Sequence, residues 1–98
     1  MNNIVAKRTL TEFWKKYPDS EKPLRHWYNN ALKSKWMNFS DIKKDYGSAD
    51  IVADSRVIFN IDGNKYRLIV KFNFLMSWGW IRFIGTHGEY DKINPKTI

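Results

Sequence analysis

Cysteine is absent from all 98 residues, so neither a disulfide nor a thiolate metal centre can hold this fold or do its chemistry. No apolar run approaches the roughly 20 residues needed to span a bilayer. The opening residues, Met1-Asn2-Asn3-Ile4-Val5-Ala6-Lys7, lack the hydrophobic stretch of a secretion signal. Both absences point to a cytosolic protein. The chain has no internal repeat, low-complexity tract or linker, and neither a Gly-rich phosphate loop nor a Gly-x-Ser-x-Gly elbow. Acidic residues are scarce: ten Asp and Glu against 17 Lys and Arg leave a net charge of +7. Such an excess on one short domain implies a polyanionic partner, whether nucleic acid, an acidic protein or an anionic membrane.

What the chain has in quantity is apolar and aromatic mass. Hydrophobic residues make up 43%, with five Trp, five Tyr and six Phe. That suffices for a single buried core and argues against disorder. The period of the apolar pattern changes midway. Residues 1–50 read as helical and residues 55–87 as strands, which predicts an α+β domain.

A short strand is expected at Asn3 to Ala6. Ala6, Leu10, Phe13, Trp14 and Tyr17 then recur at helical spacing. Thr9 and Glu12 match a capping box or lie within the first turn. Tyr17-Pro18-Asp19-Ser20 ends this helix, because proline keeps the preceding residue out of helical angles. Ser20 suits the N-cap of a second helix, with Glu21 and Pro23 tolerated in its first turn. Leu24, Trp27, Tyr28 and Ala31 form that helix's apolar stripe, completing a helical hairpin. Trp36 to Ser40 reads as irregular, and Ser40 to Tyr46 as one more short helix ending at Gly47.

From Arg56 the period is two. Val57, Phe59 and Ile61 share one strand face, and Asp62-Gly63 is a tight-turn signal. Tyr66, Leu68, Val70, Phe72 and Phe74 share one face of the next strand. Lys65, Arg67, Lys71 and Asn73 share the other with Ile69. A third strand, Trp80-Ile81-Arg82-Phe83-Ile84, follows a loop near Ser77 to Gly79. Connections this short make the strands antiparallel neighbours. One sheet face packs on the helices and the other carries basic residues.

Arg67 and Arg82 stand mid-strand, where arginine costs β-propensity and desolvation unless its face is open or an anion is near. A solvated face, or a salt bridge to Asp54 or Asp62, accounts for either one alone. On adjacent strands the two can clamp a phosphate, which the planar guanidinium suits. His87 and Tyr90 follow the last strand, where loops on rigid scaffolds present reactive groups. His87 also reads as a surface histidine, and Tyr90 as a core or edge aromatic. His26 lies off the stripe of its helix and reads as surface. The aromatics fit a core better than a base-stacking surface, with Trp78 and Trp80 left open. His87, Glu89 and Asp91 have poor spacing for a metal site, and no second histidine or cysteine completes it. No metal and no cofactor is expected.

Three stretches carry a family resemblance. They are Arg56-Val57-Ile58-Phe59-Asn60-Ile61 with Gly63-Asn64-Lys65-Tyr66-Arg67-Leu68, then Trp80-Ile81-Arg82-Phe83-Ile84-Gly85-Thr86-His87 with Glu89-Tyr90-Asp91, and a helical half. The last comprises Phe13-Trp14, Tyr17-Pro18-Asp19, Pro23-Leu24-Arg25 and Trp27-Tyr28. Together they resemble the HigB toxins over nearly the whole chain, treated as one domain, residues 1–98. The resemblance implies the RelE-like fold, with a helical hairpin packed on one face of a small antiparallel sheet. It also implies a metal-independent endoribonuclease cutting mRNA on translating ribosomes. The implied partner is a HigA antitoxin, a helix-turn-helix protein through which the pair binds its operator DNA. By motif, the implied active-site residues are Arg67, Arg82, His87 and Tyr90, while Lys65, Lys71 and Lys92 transfer less directly as RNA contacts.

This agrees with the chemistry of the residues. Metal-free RNA cleavage deprotonates a 2′-OH, stabilises charge on the phosphate and protonates the 5′-oxygen. The arginines suit the phosphate; His87 and Tyr90 suit proton transfer. Reference pKa values near 6.5 for histidine and about 10 for tyrosine make imidazole the better base. Assignment of acid and base stays open. The alternative is a non-catalytic basic RNA-binding module on the same face, and a third reading is a protein-binding domain for an acidic partner.

Overall fold

The computed structural model describes residues 1–98. In chain order it comprises β1 (Asn3–Val5), α1 (Lys7–Lys16), a 3-10 turn (Pro18–Ser20), α2 (Glu21–Lys33), α3 (Phe39–Asp45), β2 (Asp50–Val52), β3 (Arg56–Ile61), β4 (Tyr66–Asn73), β5 (Trp78–Thr86) and α4 (His87–Tyr90). The architecture is α+β, as the change of period predicts. No helix is long and apolar enough to cross a membrane.

The helical hairpin forms where the apolar spacing places it. Leu10 and Trp14 are buried on α1, and Leu24, Trp27 and Ala31 on α2. The start of α1 differs from the capping-box reading. It begins at Lys7 with Ala6 as an N-cap lacking a side-chain bond, so Thr9 lies inside the first turn. Ser20 does precede α2, yet its buried Oγ donates to the Tyr17 carbonyl at 2.6 Å and does not cap. The α3 cap is Asn38, whose Oδ1 accepts from the Asp41 N–H at 2.9 Å. Trp36, in the irregular stretch, is a core residue and donates its indole N–H to Asp45 at 2.9 Å.

The sheet order is β1-β5-β4-β3-β2. β3, β4 and β5 form the expected antiparallel meander, with Phe59 opposite Leu68 and Leu68 opposite Ile84. Asp62 and Gly63 both take positive φ, 55° and 67°, in the tight turn joining β3 to β4. Two edge strands extend the antiparallel sheet inferred from residues 55–87. β2 pairs antiparallel with β3, and β1 pairs parallel with β5, Ile4 opposite Gly79. A parallel neighbour is available here because α1, α2, α3 and strands β2 to β4 all intervene between β1 and β5.

The core lies between the helices and one sheet face: Leu10, Trp14, Leu24, Trp27 and Ala31 against Val57, Phe59, Ile61, Leu68, Val70 and Phe72. Burying this apolar set is the main source of stability, at roughly 1.5–3 kcal/mol for each large side chain. The second face is less open than alternation suggests. Ile69 is fully buried there and Ile58 nearly so. Arg56, opposite Lys71 in register, is also buried and binds the Ile98 carbonyl through Nε at 3.0 Å and Nη2 at 2.9 Å. The segment after α4 therefore crosses this face and covers its apolar centre.

A candidate nuclease site at the end of the sheet

The β4–β5 pairing contains a bulge. Ile69 opposes Phe83 and Val70 opposes Ile81, which leaves Arg82 as the extra residue. Paired residues share a face, so Phe83 and Trp80 both lie on the second face, beside Lys71 and Arg67. Arg82 is exposed at the bulge and its Nε donates to the Ile98 carbonyl at 3.2 Å. One acceptor thus engages both Arg56 and Arg82, and it occupies part of the arginine surface facing outward.

Arg67 opposes Gly85 on β5, about three residues further along that strand than Arg82. At roughly 3.3 Å per residue the two arginines stand on the order of 10 Å apart along the strand. They share a face without converging on one point. Arg67 donates to the Asn64 carbonyl at 3.2 Å, and its guanidinium lies 5.8 Å from the centroid of the Tyr90 ring. That is cation–π range.

Tyr90 is the hub of this end. Its ring lies 6.5 Å from that of Phe83 and 6.3 Å from that of His87. The segment carrying both residues is not the loop expected from sequence but the helical turn α4. A capping box builds it: Thr86 Oγ1 accepts from the Glu89 N–H at 3.2 Å, and Glu89 Oε1 accepts from the Thr86 N–H at 2.9 Å. Thr86-x-x-Glu89 was the sequence signal for this turn. The Thr86 N–H hydrogen bond, with Lys16 and Lys92 nearby, holds the Glu89 carboxyl below its ordinary range. Gly85 permits the close approach. A Cβ there would sit 2.5 Å from Phe83 Cζ and 3.2 Å from Glu89 Cβ.

His87 is exposed at the start of α4, with Nδ1 3.3 Å from Asp91 Oδ2. An Nδ1 contact of this kind leaves Nε2 as the nitrogen available for proton transfer. Glu89, engaged with Thr86, is not directed to a common point with His87 and Asp91.

The lysines are dispersed. Lys71 is half-buried on β4 opposite Trp80, at a cavity of about 570 Å³ that Arg82 also lines. Lys65 departs from the face assigned to it by alternation. It lies in the β3–β4 turn before β4 begins, and its ammonium pairs with Asp19 on the helical side. Tyr66 donates to the other Asp19 oxygen at 2.5 Å. The Lys65 hydrogen bond holds the Asp19 carboxyl low, while burial and Asp19 push the Tyr66 hydroxyl up to about 12. Lys65 and His87 nonetheless line one cleft, of about 520 Å³, between the 3-10 turn and the end of the sheet. Lys92 is exposed just after α4. His26 is exposed on α2, its Nε2 3.1 Å from the Asn30 amide nitrogen.

Arg56 is the one buried charged side chain. As the first residue of a strand it carries no signal that distinguishes it from a solvated end.

The end of the sheet therefore sets a guanidinium and an imidazole each beside the Tyr90 ring, at 5.8 and 6.3 Å from it, with further cations along the sheet face and in the adjoining cleft. That set can bind a phosphodiester and move protons. Known proteins give the context. Over 91 residues, 91% of this chain and 88% of the relative, the chain is 26% identical to the mRNA interferase toxin HigB of Escherichia coli (strain K12). The same figures hold for the mRNA interferase HigB of Shigella flexneri. Identity is 23% over 93 residues, 93% of this chain, with the mRNA interferase HigB of Escherichia coli O6:H1. The profile of the HigB toxins, the RelE-like toxic component of a toxin–antitoxin system, matches residues 20–93, and the chain belongs to that family.

Proposed function

We propose that this toxin is an mRNA interferase whose reacting centre is the Arg67–His87–Tyr90 group. The observation that carries this reading is the position of the Tyr90 ring, 5.8 Å from the Arg67 guanidinium and 6.3 Å from the His87 ring. His87 Nε2 takes the proton of the ribose 2′-OH as its oxygen attacks the adjacent phosphorus. Arg67 stabilises the charge that develops on the phosphoryl oxygens. Tyr90 delivers a proton to the departing 5′-oxygen, leaving a 2′,3′-cyclic phosphate and a 5′-hydroxyl. Arg82, about 10 Å along the strand, holds a neighbouring phosphate rather than the one being cut. Lys65, Lys71 and Lys92 supply further sequence-independent attraction to the RNA backbone.

The finer partners follow from the same reading. The substrate is mRNA on the translating ribosome, in the cytoplasm. The neutralising partner is a HigA-like helix-turn-helix antitoxin that carries the complex to operator DNA.

The test uses ribosomes programmed with a defined mRNA. His87→Gln and Tyr90→Phe retain co-sedimentation with ribosomes while cleavage falls by about 10²–10⁴-fold, the usual contribution of a proton-transfer group. Wild-type cleavage rates in both variants remove α4 from the chemistry. A wild-type protein that binds RNA and cuts none returns the reading to a basic RNA-binding module.

A further inference from the structure

Of the five tryptophans, Trp14, Trp27 and Trp36 are core residues, 7%, 1% and 4% exposed. Trp78 and Trp80 are half-buried, and their rings lie 5.7 Å apart at 46°. Their register partners are Asn73 and Lys71, which places both indoles on the sheet face that carries Arg67 and Phe83. Gly79 between them faces the core. A Cβ there would meet Ile4 Cδ1 at 3.0 Å, Phe72 Cε1 at 3.2 Å and Val70 Cγ1 at 3.3 Å. The glycine lets the strand lie flush on the core while its two flanking indoles point away from it.

Indoles are the largest apolar side chains a fold can bury, and leaving two adjacent ones half in water forgoes that burial. Around them are the groups a nucleotide requires. The cavity of about 570 Å³ is lined by Trp80, Lys71, Arg82, Asn73 and Ser55, among others. Its size suits a small planar ligand. Asn73 Oδ1 accepts from the Met76 N–H at 3.1 Å, so the carboxamide NH2 remains to donate to a base edge.

We propose that Trp78 and Trp80, with Lys71, Arg82 and Asn73, form a stacking subsite for single-stranded RNA beside the reacting centre. A base stacks on the Trp80 indole, Lys71 and Arg82 hold the flanking phosphates, and Asn73 contacts an acceptor on the base. Along β4 the subsite is four residues from Arg67, roughly 13 Å, so the stacked base is not the one at the cleaved bond. The subsite rests on the nuclease reading for its relation to cleavage, but its binding is measurable apart from it.

The probe is a short 2′-O-methyl oligoribonucleotide, whose blocked 2′-oxygen prevents cutting. Its addition quenches the emission of Trp78 and Trp80, the two solvent-accessible indoles. By anisotropy, Trp80→Leu weakens binding about 5- to 100-fold, the range for loss of one aromatic–base stack, and Trp80→Phe restores most of it. Lys71→Ala lowers the slope of log K against log salt by about one. The thermal midpoint of Trp80→Leu stays near wild type, since the indole lies outside the core. Binding within twofold of wild type in both Trp80→Leu and Trp78→Leu overturns the subsite, as does an oligonucleotide that binds without quenching. A wild type that stacks the oligonucleotide but cuts no mRNA refutes the nuclease reading and leaves the subsite standing. A wild type that cuts mRNA while both leucine variants bind unchanged refutes the subsite alone.

Discussion

The two reciprocal bonds of the Thr86–Glu89 capping box, at 3.2 and 2.9 Å, set a quantitative limit on what α4 does for catalysis. Thr86→Val keeps the shape of the side chain and removes its acceptor, and Glu89→Ala removes the reciprocal one. Losing one cap costs about 1 kcal/mol, and losing both about 2 kcal/mol if the bonds are independent. With 1.36 kcal/mol per factor of ten, ordering of the turn drops by at most about fivefold for one bond and about thirtyfold for both. Cleavage by the ordered fraction drops no further. The prediction is therefore graded: up to about fivefold for Thr86→Val, up to about thirtyfold for the double variant, and about 10²–10⁴-fold for His87→Gln. The turn has no buried residue, so it can open without global unfolding. Thermal midpoints should then move by less than the roughly 4–8 °C per kcal/mol of a global loss in a domain of this size. The assay is single-turnover cleavage of a programmed ribosome, paired with thermal melts of each variant. A loss above a hundredfold for Thr86→Val would refute the reasoning, since a cap cannot supply it and the hydroxyl would have to touch substrate. Full activity in the double variant stays within these limits and shows that the packing of Tyr90, rather than the cap, keeps the turn ordered.

Two further outcomes test the surroundings. Gly85→Ala places a methyl group 2.5 Å from Phe83 Cζ and 3.2 Å from Glu89 Cβ, so stability should fall by about 1–3 kcal/mol in denaturant titrations, and cleavage should fall with it as Tyr90 is displaced. Arg67→Lys should recover little of the roughly hundredfold loss expected for Arg67→Ala in the same cleavage assay, because an ammonium lacks the planar fork; recovery to within a few-fold of wild type reduces Arg67 to a charge.

Much of the fold is legible because two independent periods agree on it. Leu10, Trp14, Leu24 and Trp27 repeat at helical spacing and Val57, Phe59, Leu68 and Val70 at strand spacing, and each set faces the other. The local chemistry at the junctions is less legible. Ser20 has the right residue type for a cap, but its hydroxyl has a nearer acceptor in Tyr17. The bulge at Arg82 leaves no mark in a period-two pattern, because either neighbour, Ile81 or Phe83, is apolar enough for the core. Lys65 follows the alternation of β4 only if the strand begins one residue earlier than it does, and Asp19, 46 positions away, captures its ammonium. Arg67, His87 and Tyr90 are legible as candidates from their places on and after a strand. Their arrangement around Tyr90 depends on Gly85 and on the Thr86-x-x-Glu89 cap, a motif masked in the sequence because its first residue also ends β5. Arg56 is different in kind. Its burial comes from the segment near Ile98, a contact between residues 42 positions apart that no local pattern announces.

The acid response of Glu89 provides the sharpest separation between binding and chemistry. The Thr86 backbone N–H, the Thr86 hydroxyl contact and the fields of Lys16 and Lys92 hold its carboxyl below the reference value of 4.5. A depressed carboxylate contributes stability that is fully present above the reference value and is lost as pH falls through the lower folded value. The cap therefore holds at neutral pH and weakens progressively below about pH 4.5. Arg67 and Lys71 lie on β4, which is paired on both sides, to β3 and to β5. Acid should consequently loosen α4 while the cationic sheet face persists. In an NMR pH series the Thr86 amide should titrate with a midpoint below 4.5 and the Tyr90 ring signals should follow it, while the amides from Ile69 to Phe72, away from the Asp19–Tyr66 bond that acid also weakens, stay in place. Glu89→Gln, which keeps an acceptor but cannot titrate, should abolish the transition and leave the cap formed at neutral pH. A Thr86 amide that titrates at or above 4.5, or not at all, means that Glu89 does not hold the turn, and the arrangement of His87 and Tyr90 must then depend on the packing of Tyr90 against Phe83 and Arg67 alone.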